Sequence, residues 1–314
     1  MRTRTRWALI ATIGLLLIAG AVFAWYAVPR STPHIPPAQL ATPDQTALSP
    51  SARFDHIFVL VEENKPYGAI LGNPAAPYIT TLAQHYAVAT NYYAVAHPSL
   101  PNYIALTSGS TYGYTSDCNP PGAGCIVSAR NIGDVLESHG MSWKAYVEGM
   151  PTACYAMNAG RYATKHNPFV YYNDIVNNKE RCAQHVVPFA QLAVDVQHTE
   201  STPQYAFIVP DLCHDMHDCS VETGDAWLQN LVPSLLRSPA FTTQRSLLMI
   251  TWDEDDGGGN HVATILVGPH VKPGYTLTGT YNHYSLLKTV EANWGLPALT
   301  VNDEKVAPMG NFIQ

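Results

Sequence analysis

The chain has 314 residues, of which 46% are hydrophobic and 13% are charged, enough apolar content for one large or two modest cores. Its formal net charge is −7 at pH 7, and the only basic run lies at the N-terminus. Proteins bind nucleic acids through clustered Lys and Arg side chains. The composition therefore argues against a nucleic-acid partner.

Residues 1–28 are predicted to take the chain out of the cytoplasm. Arginines near the start precede an apolar run from Trp7 to Val28. Two interpretations remain open: a cleaved signal peptide, and an uncleaved membrane anchor, since about 20 apolar residues span a bilayer. Residues 29–52 are rich in Pro, Ala, Ser and Thr and predict a linker. The folded domain, residues 53–314, is expected to be extracytoplasmic, either secreted or membrane-anchored.

Six cysteines fit an exported protein. Nearest-neighbour pairing is one of several connectivities that six cysteines allow, and it predicts the disulfides Cys118–Cys125, Cys154–Cys182 and Cys213–Cys219. A zinc site is the alternative. No C-x-x-C motif occurs, so we favour disulfides.

Apolar strand patterns alternate with helical patterns along the chain. Strands are predicted over residues 54–61, 87–95, 142–147, 204–209, 246–251 and 262–267. Helices are predicted over residues 77–86, from Ser99 onward, and over 131–139, 221–237 and 283–294. Residues 148–187 are irregular and predict an insertion over the sheet. This alternation predicts an α/β fold, a three-layer sandwich with a mostly parallel central sheet.

Polar side chains follow four of the predicted strands, where ligands bind in parallel sheets. One such stretch, His97 to Tyr103, carries Ser99 at a predicted helix start, where its hydroxyl can cap the helix. A helix N-terminus also suits a phosphate. Ser99 is therefore either a nucleophile that attacks phosphorus or only an N-cap.

Acidic residues mark the other strand ends. The sequence Glu62-Glu63-Asn64 can hold a hard divalent cation. The four consecutive acids from Asp253 to Asp256 repel one another unless cations or solvent compensate them, so a metal site competes with a solvated loop. The stretch from Asp211 to Cys219 has the density of His and Asp expected for metal binding or acid–base chemistry.

Taken together, these motifs resemble those of the phosphoesterase family of bacterial acid phosphatases and phospholipases C, within the alkaline-phosphatase-like superfamily. The resemblance is greatest to the SapM-type secreted acid phosphatases. It is carried by Glu63-Asn64, Ser99-x-Pro101-Asn102, Asp253-Glu254 through His261-Val262, the D-M-H-D run from Asp215, and the H-Y-S-L-L run from His283.

The resemblance implies a role for each matching residue. Ser99 would be the nucleophile, and Asn102 would donate to a phosphate oxygen. A divalent metal would be held by the Ser99 oxygen with Glu63, Asn64, Asp253 and Glu254. His217 and His283 would bind a second metal, or contact phosphate and protonate the leaving group. The remaining candidates for a second site are Asp211, Asp215, His166 and His261, so one metal and two metals are both open.

The expected function is that of an exported phosphate monoester hydrolase acting on a small phosphorylated substrate, with phosphoinositides included. One alternative is a phospholipase C that cleaves a phospholipid diester at its headgroup. A second alternative, from another class, is a surface-anchored binding protein with a degenerate site. The N-terminal segment would supply the membrane contact if it stays uncleaved.

Overall fold

The computed structural model describes residues 53–122 and 124–314. The predicted export segment, residues 1–28, and the predicted linker, residues 29–52, lie outside the described residues. None of the described helices combines the length and apolar character needed to cross a bilayer.

The described residues form one eight-stranded sheet. Its strands are β1 (His56–Glu62), β2 (Ala87–Tyr93), β3 (Trp143–Val147), β4 (Val186–Pro188), β5 (Tyr205–Val209), β6 (Ser246–Trp252), β7 (Thr264–Val267) and β8 (Tyr275–Asn282). They lie in the order β4-β3-β5-β1-β6-β7-β2-β8. Strand β7 is antiparallel to both of its neighbours, and the other pairs are parallel.

The two central strands explain why the sheet needs cover on both sides. All seven residues of β1 and all seven of β6 are buried. Successive side chains of a strand point to opposite faces, so both faces of the sheet are packed. The predicted three-layer α/β fold with a mostly parallel sheet is confirmed.

Helices of very different length connect the strands. In the described ranges they are α1 (Tyr67–Ile70), α2 (Pro77–His85), α3 (Ser99–Ser108), α4 (Ile132–Ser138), α5 (Asn173–Val176), α6 (Lys179–His185), α7 (Ala190–Asp195), α8 (Val221–Leu236), α9 (Pro239–Thr243), α10 (His283–Trp294) and α11 (Val301–Lys305). Short 3-10 helices occur at Thr164–His166 and Pro168–Tyr171.

Two strands differ from the sequence prediction. Strand β8 was not predicted because it is an edge strand of Thr, Tyr, Gly and Asn residues in which only Leu277 is buried. Strand β4 begins at the end of residues 148–187, which the sequence predicted as irregular, and it continues to Pro188. It has three residues and forms the other edge of the sheet.

The six cysteines all fall in the described ranges and are all paired. The predicted disulfides Cys118–Cys125, Cys154–Cys182 and Cys213–Cys219 are confirmed. Such bonds persist in oxidising compartments and are typical of secreted proteins.

Candidate active site

The register of the central strands brings two acidic segments together. Strand β1 pairs with β6 in parallel, and Glu62 lies opposite Trp252 at the end of the pairing. Each strand is followed by an acid, Glu63 after β1 and Asp253 after β6. The backbone N–H of Asp253 donates to the Glu62 carbonyl at 2.9 Å, which fixes the two strand ends side by side.

Ser99 is the first residue of α3 and is buried. The prediction that its hydroxyl caps the helix is wrong: Pro98 occupies the cap position, and no side-chain cap forms. The Ser99 Oγ instead lies 3.1 Å from Glu63 Oε2 and 3.2 Å from Glu254 Oε1. The hydroxyl proton can therefore pass to either of two buried carboxylates.

Lys165 completes what we call the Ser99 cluster, namely Ser99, Glu63, Glu254 and Lys165. Its Nζ lies 3.4 Å from Ser99 Oγ and 3.2 Å from His217 Nε2. Burial lowers the pKa of Lys165, but the neighbouring carboxylates, Glu63 foremost, outweigh it and raise the pKa above its usual value. The side chain is therefore a permanent cation beside the serine.

The acids of the site are held in an environment that disfavours their charge. Burial, followed by the charge of Glu254, raises the pKa of Asp253 to about 7. Burial also raises the pKa of Glu254 to about 7, and that of Glu63 well above its usual range. Buried carboxylates of this kind need cations or protons, so the site is prepared for positive charge.

Two observations fit a divalent cation at this position. The Oδ2 of Asp253 is buried and has no hydrogen-bond partner. The Oε1 of Glu63 faces the Nε2 of His166 at 3.1 Å, yet neither atom makes a hydrogen bond. Buried polar atoms without hydrogen-bond partners call for an explanation such as a bound ion, and carboxylate oxygens and imidazole nitrogens are metal ligands.

A set that we call the histidine group lies next to the Ser99 cluster and shares Glu63 with it. Glu63, His166 and His217 each offer a ligand atom, and these atoms lie within 4.8 Å of one another. The Nδ1 of His166 is 3.1 Å from Asp215 Oδ2. Burial, reinforced by the charge of Lys165, lowers the pKa of His166 well below its usual value. Its ring is thus neutral, which is the form that binds metals.

Asp211 lies in a different set, which we call the Glu148 group: Glu148, Asp211 and His214. The Oδ1 of Asp211 accepts from the backbone N–H groups of Cys213 and His214, and the Nδ1 of His214 is 2.8 Å from Glu148 Oε2. Of the two acids predicted to compete for a second site, Asp215 therefore lies with the histidine group and Asp211 lies apart from it.

The Asn102 side chain binds the backbone of the loop that precedes α3. Its side chain is fully buried, and its Oδ1 accepts from the backbone N–H groups of Val95 and Ala96 at 3.0 Å each. Its Nδ2 donates to the Ala96 carbonyl at 2.9 Å. Asn102 thus holds the loop that delivers Ser99, and its contact with a phosphate oxygen stays a prediction.

The two histidines predicted near the last motifs also contact the backbone. His283 is fully buried, with Nε2 2.6 Å from the carbonyl oxygen of Asp253. The Nε2 of His261 lies 2.8 Å from the carbonyl oxygen of Thr90, and its ring stacks on Tyr67. In both rings Nε2 is engaged with a backbone carbonyl. The roles of His283 at a second metal or at phosphate, and of His261 at a second site, stay predictions.

Asn64 remains a predicted metal ligand. Its backbone N–H donates to Asp253 Oδ1 at 3.1 Å, and its φ of 52° turns the chain sharply after β1. Asn is among the residues that adopt this left-handed conformation most readily. That turn keeps the segment after β1 against the acids that follow β6.

Sequence reasoning assigned no role to three residues at this site, one of them a member of the Ser99 cluster. Lys165 and Asp117 form an ion pair at 3.1 Å, and His97 Nδ1 lies 2.6 Å from Glu254 Oε2. His97 begins the stretch that the sequence singles out around Ser99, but it was given no role. Lys165 directly precedes the candidate residue His166, and this adjacency was its only sequence signal. Asp117 stands in an irregular loop and carried none.

Comparison with known proteins agrees with this geometry. The model of the phosphoesterase family matches residues 71–297. A phosphatidylinositol-3-phosphatase of Mycobacterium tuberculosis is 37% identical over 260 residues, 81% of this chain and 82% of the relative. A phosphate-repressible acid phosphatase of Penicillium chrysogenum is 34% identical over 70% of this chain, which spans 55% of that longer protein.

Solved structures share the fold at low sequence identity. A protein of the alkaline phosphatase superfamily from Vibrio parahaemolyticus has a TM-score of 0.57 and 14% identity, with 81% of this chain and 70% of that chain covered. The lipoteichoic acid synthase LtaP of Listeria monocytogenes has a TM-score of 0.58 and 10% identity, with 85% and 79% covered.

The family match and the phosphatases among the relatives make this chain a phosphoric ester hydrolase, and its fold is shared with a protein of the alkaline phosphatase superfamily. The chain belongs to the phosphoesterase family. The prediction of an enzyme is confirmed, and the prediction of a phosphate monoester hydrolase agrees with the phosphatases among its relatives.

Proposed function

We propose that this protein hydrolyses phosphate monoesters by transferring the phosphoryl group to Ser99. One observation carries the proposal. Ser99 is the first residue of the ten-residue helix α3. Its hydroxyl oxygen lies within 3.2 Å of two buried carboxylates and 3.4 Å from the Lys165 ammonium. A nucleophile, two proton acceptors and a cation are therefore in direct contact within the buried site.

The reaction would proceed in two displacements. The Ser99 Oγ attacks phosphorus, its proton passes to Glu63 or Glu254, and the bond from phosphorus to the leaving oxygen breaks. That oxygen leaves as an alcohol after taking up a proton. Water then attacks the phosphoserine, which releases inorganic phosphate and restores the hydroxyl of Ser99.

A metal site is part of the proposal. The candidate ligands of one cation are Glu63, Asn64, Ser99, Asp253 and Glu254, and those of a second are His166, Asp215 and His217. A bound cation would lower the pKa of the serine hydroxyl and neutralise part of the phosphoryl charge. Imidazole ligands suit Zn²⁺ or iron better than Mg²⁺ or Ca²⁺, so the histidine group favours a transition metal there.

The substrate class and the location are also proposals. The name of the mycobacterial relative supports a phosphoinositide headgroup as substrate. Three disulfides support a secreted protein. A membrane-anchored form would require that residues 1–28 stay uncleaved.

The experiment compares Ser99→Ala with Ser108→Ala, a buried serine at the other end of α3 whose hydroxyl donates only to the Ile104 carbonyl. We expect Ser99→Ala to abolish hydrolysis of p-nitrophenyl phosphate and Ser108→Ala to retain it. Full activity of Ser99→Ala would refute the proposal. A panel with short-chain phosphatidylinositol 3-phosphate and phosphatidylcholine then separates phosphatase from phospholipase C, because only the latter releases diacylglycerol.

A further inference from the structure

Asp117 bridges two hydrogen-bond donors that flank the nucleophile. Its Oδ1 accepts from the backbone N–H of Leu100 at 3.2 Å. Its Oδ2 accepts from the Nζ of Lys165 at 3.1 Å. Leu100 directly follows Ser99 in the first turn of α3, and Lys165 lies 3.4 Å from the Ser99 hydroxyl.

These two donors lie beside the serine oxygen to which phosphorus would bond. A phosphorus atom that bonds to Ser99 Oγ holds its other oxygens within a few ångströms of that atom. Donors for those oxygens are then needed beside the serine, and the free N–H groups of a helix start supply such donors. A lysine ammonium beside them adds a compact positive charge.

A carboxylate can occupy such a place in the absence of substrate. It is a planar anion whose two oxygens accept hydrogen bonds from two donors, as two oxygens of a phosphoryl group would. We propose that the Leu100 N–H and the Lys165 ammonium form the phosphoryl-oxygen subsite, and that Asp117 fills it until substrate displaces it. This inference rests on the proposed function of Ser99.

The surroundings of Asp117 allow that exchange. Its side chain is 28% exposed, whereas that of Lys165 is 11% exposed. The backbone beside it is held, because the Tyr171 hydroxyl donates to the carbonyl of Cys118 at 3.0 Å. Rotation of the Asp117 side chain therefore clears the subsite while the loop stays in place, and Lys165 keeps an anionic partner before and after substrate binds.

The test measures inhibition by inorganic phosphate of the metal-replete protein. In Asp117→Asn the competing charge is lost, so phosphate should bind more tightly, on the order of 10-fold, the scale of one charged hydrogen bond. In Lys165→Met phosphate should bind at least about 10-fold more weakly, and kcat/KM should fall by roughly 10²–10³. Lys165→Arg, which keeps the charge, should recover part of both losses.

A double variant separates this account from a structural ion pair. If Asp117 competes with phosphate through Lys165, then Asp117→Asn should have little effect in the Lys165→Met background. If Asp117 merely holds Lys165 in place, Asp117→Asn alone should weaken phosphate binding. That weakening, or no change, would overturn the proposal.

Two further measurements keep the outcomes distinct. Lys144 and Asp195 form another Lys–Asp ion pair, 2.6 Å long, that shares no residue with the Ser99 cluster. Lys144→Met and Asp195→Asn should leave the inhibition constant unchanged. Calorimetric binding of phosphate to Ser99→Ala tests the subsite without turnover, so failure of Ser99 as nucleophile would not be mistaken for failure of the subsite.

Discussion

The Nε2 of His283 lies 2.6 Å from the carbonyl oxygen of Asp253, 30 residues earlier in the chain. Its Nδ1 lies 3.0 Å from the hydroxyl of Tyr92. Burial lowers the pKa of His283 to about 4, so the ring is neutral. It then donates from Nε2 and accepts at Nδ1. His283 thus fixes the backbone at Asp253 and leaves the carboxylate free to bind a cation.

This geometry makes His283 a positioning residue. We expect His283→Ala to lower activity about 10- to 100-fold, the usual effect of losing a group that orients a metal ligand. The loss should be equal for p-nitrophenyl phosphate and for an alkyl phosphate, whose leaving group needs a proton. A much larger loss on the alkyl phosphate would contradict it and would make His283 the leaving-group acid. Tyr92→Phe, which keeps the ring packing, should have a smaller effect.

Asn102 should affect stability because it satisfies three backbone groups of the loop before α3. We expect Asn102→Ala to lower the free energy of unfolding by about 1–3 kcal/mol, since buried backbone groups lose their partners. Denaturant titration measures this loss. Asn91→Ala, which removes one surface hydrogen bond, should change stability by less than about 0.5 kcal/mol. If Asn102→Ala keeps the native stability but binds phosphate more weakly, that result would show that Asn102 contacts phosphate directly.

The sequence predicted where the site lies because strand ends are readable from apolar runs. The run before Glu63 and the run before Asp253 end in acids, and adjacent parallel strands bring such ends together. The direction of each side chain was not predictable. Asn102 and His283 match family motifs, and a motif cannot distinguish a group that touches substrate from one that binds the backbone.

The contact of Lys165 with the serine was also not predictable from the sequence. It lies in an irregular segment without periodicity, 66 residues after Ser99. Its approach to the serine depends on how residues 148–187 fold over the sheet, which no local pattern specifies. The same holds for Asp117, whose loop has no regular secondary structure.

Metal dependence of the activity can show whether the catalytic cation binds at Glu63 or at the Glu148 group. Chelation should abolish hydrolysis, and adding back a divalent cation should restore it. Glu63→Gln should weaken the apparent metal affinity at least about 10-fold because it removes a charged ligand shared by the Ser99 cluster and the histidine group. His214→Ala, in the Glu148 group, should leave that affinity unchanged. The opposite pattern would place the catalytic cation at the Glu148 group.

Glu291 on α10 predicts a pH dependence of stability. It is fully buried, and burial, with Asp303 nearby, raises its pKa to about 8. Between about pH 4.5 and that value the folded chain keeps a proton that the unfolded chain releases, so this contribution to stability is lost as pH rises.

Glu291→Gln mimics the protonated acid and should flatten the slope of the free energy of unfolding against pH. Urea unfolding at about pH 5 and about pH 8 measures the difference from the native chain. Glu304→Gln, an exposed acid on α11, should keep the native slope. Equal slopes for the native chain and Glu291→Gln would contradict the assignment.

The central claim is that Ser99 carries the phosphoryl group during turnover. The most direct measurement is mass spectrometry of the protein after acid quench during hydrolysis of p-nitrophenyl phosphate, with digestion to peptides. We predict the mass of one phosphoryl group on the peptide and residue of Ser99, and its absence from Ser99→Ala. Phosphorylation of another residue, or turnover by Ser99→Ala at the native rate, would contradict the claim.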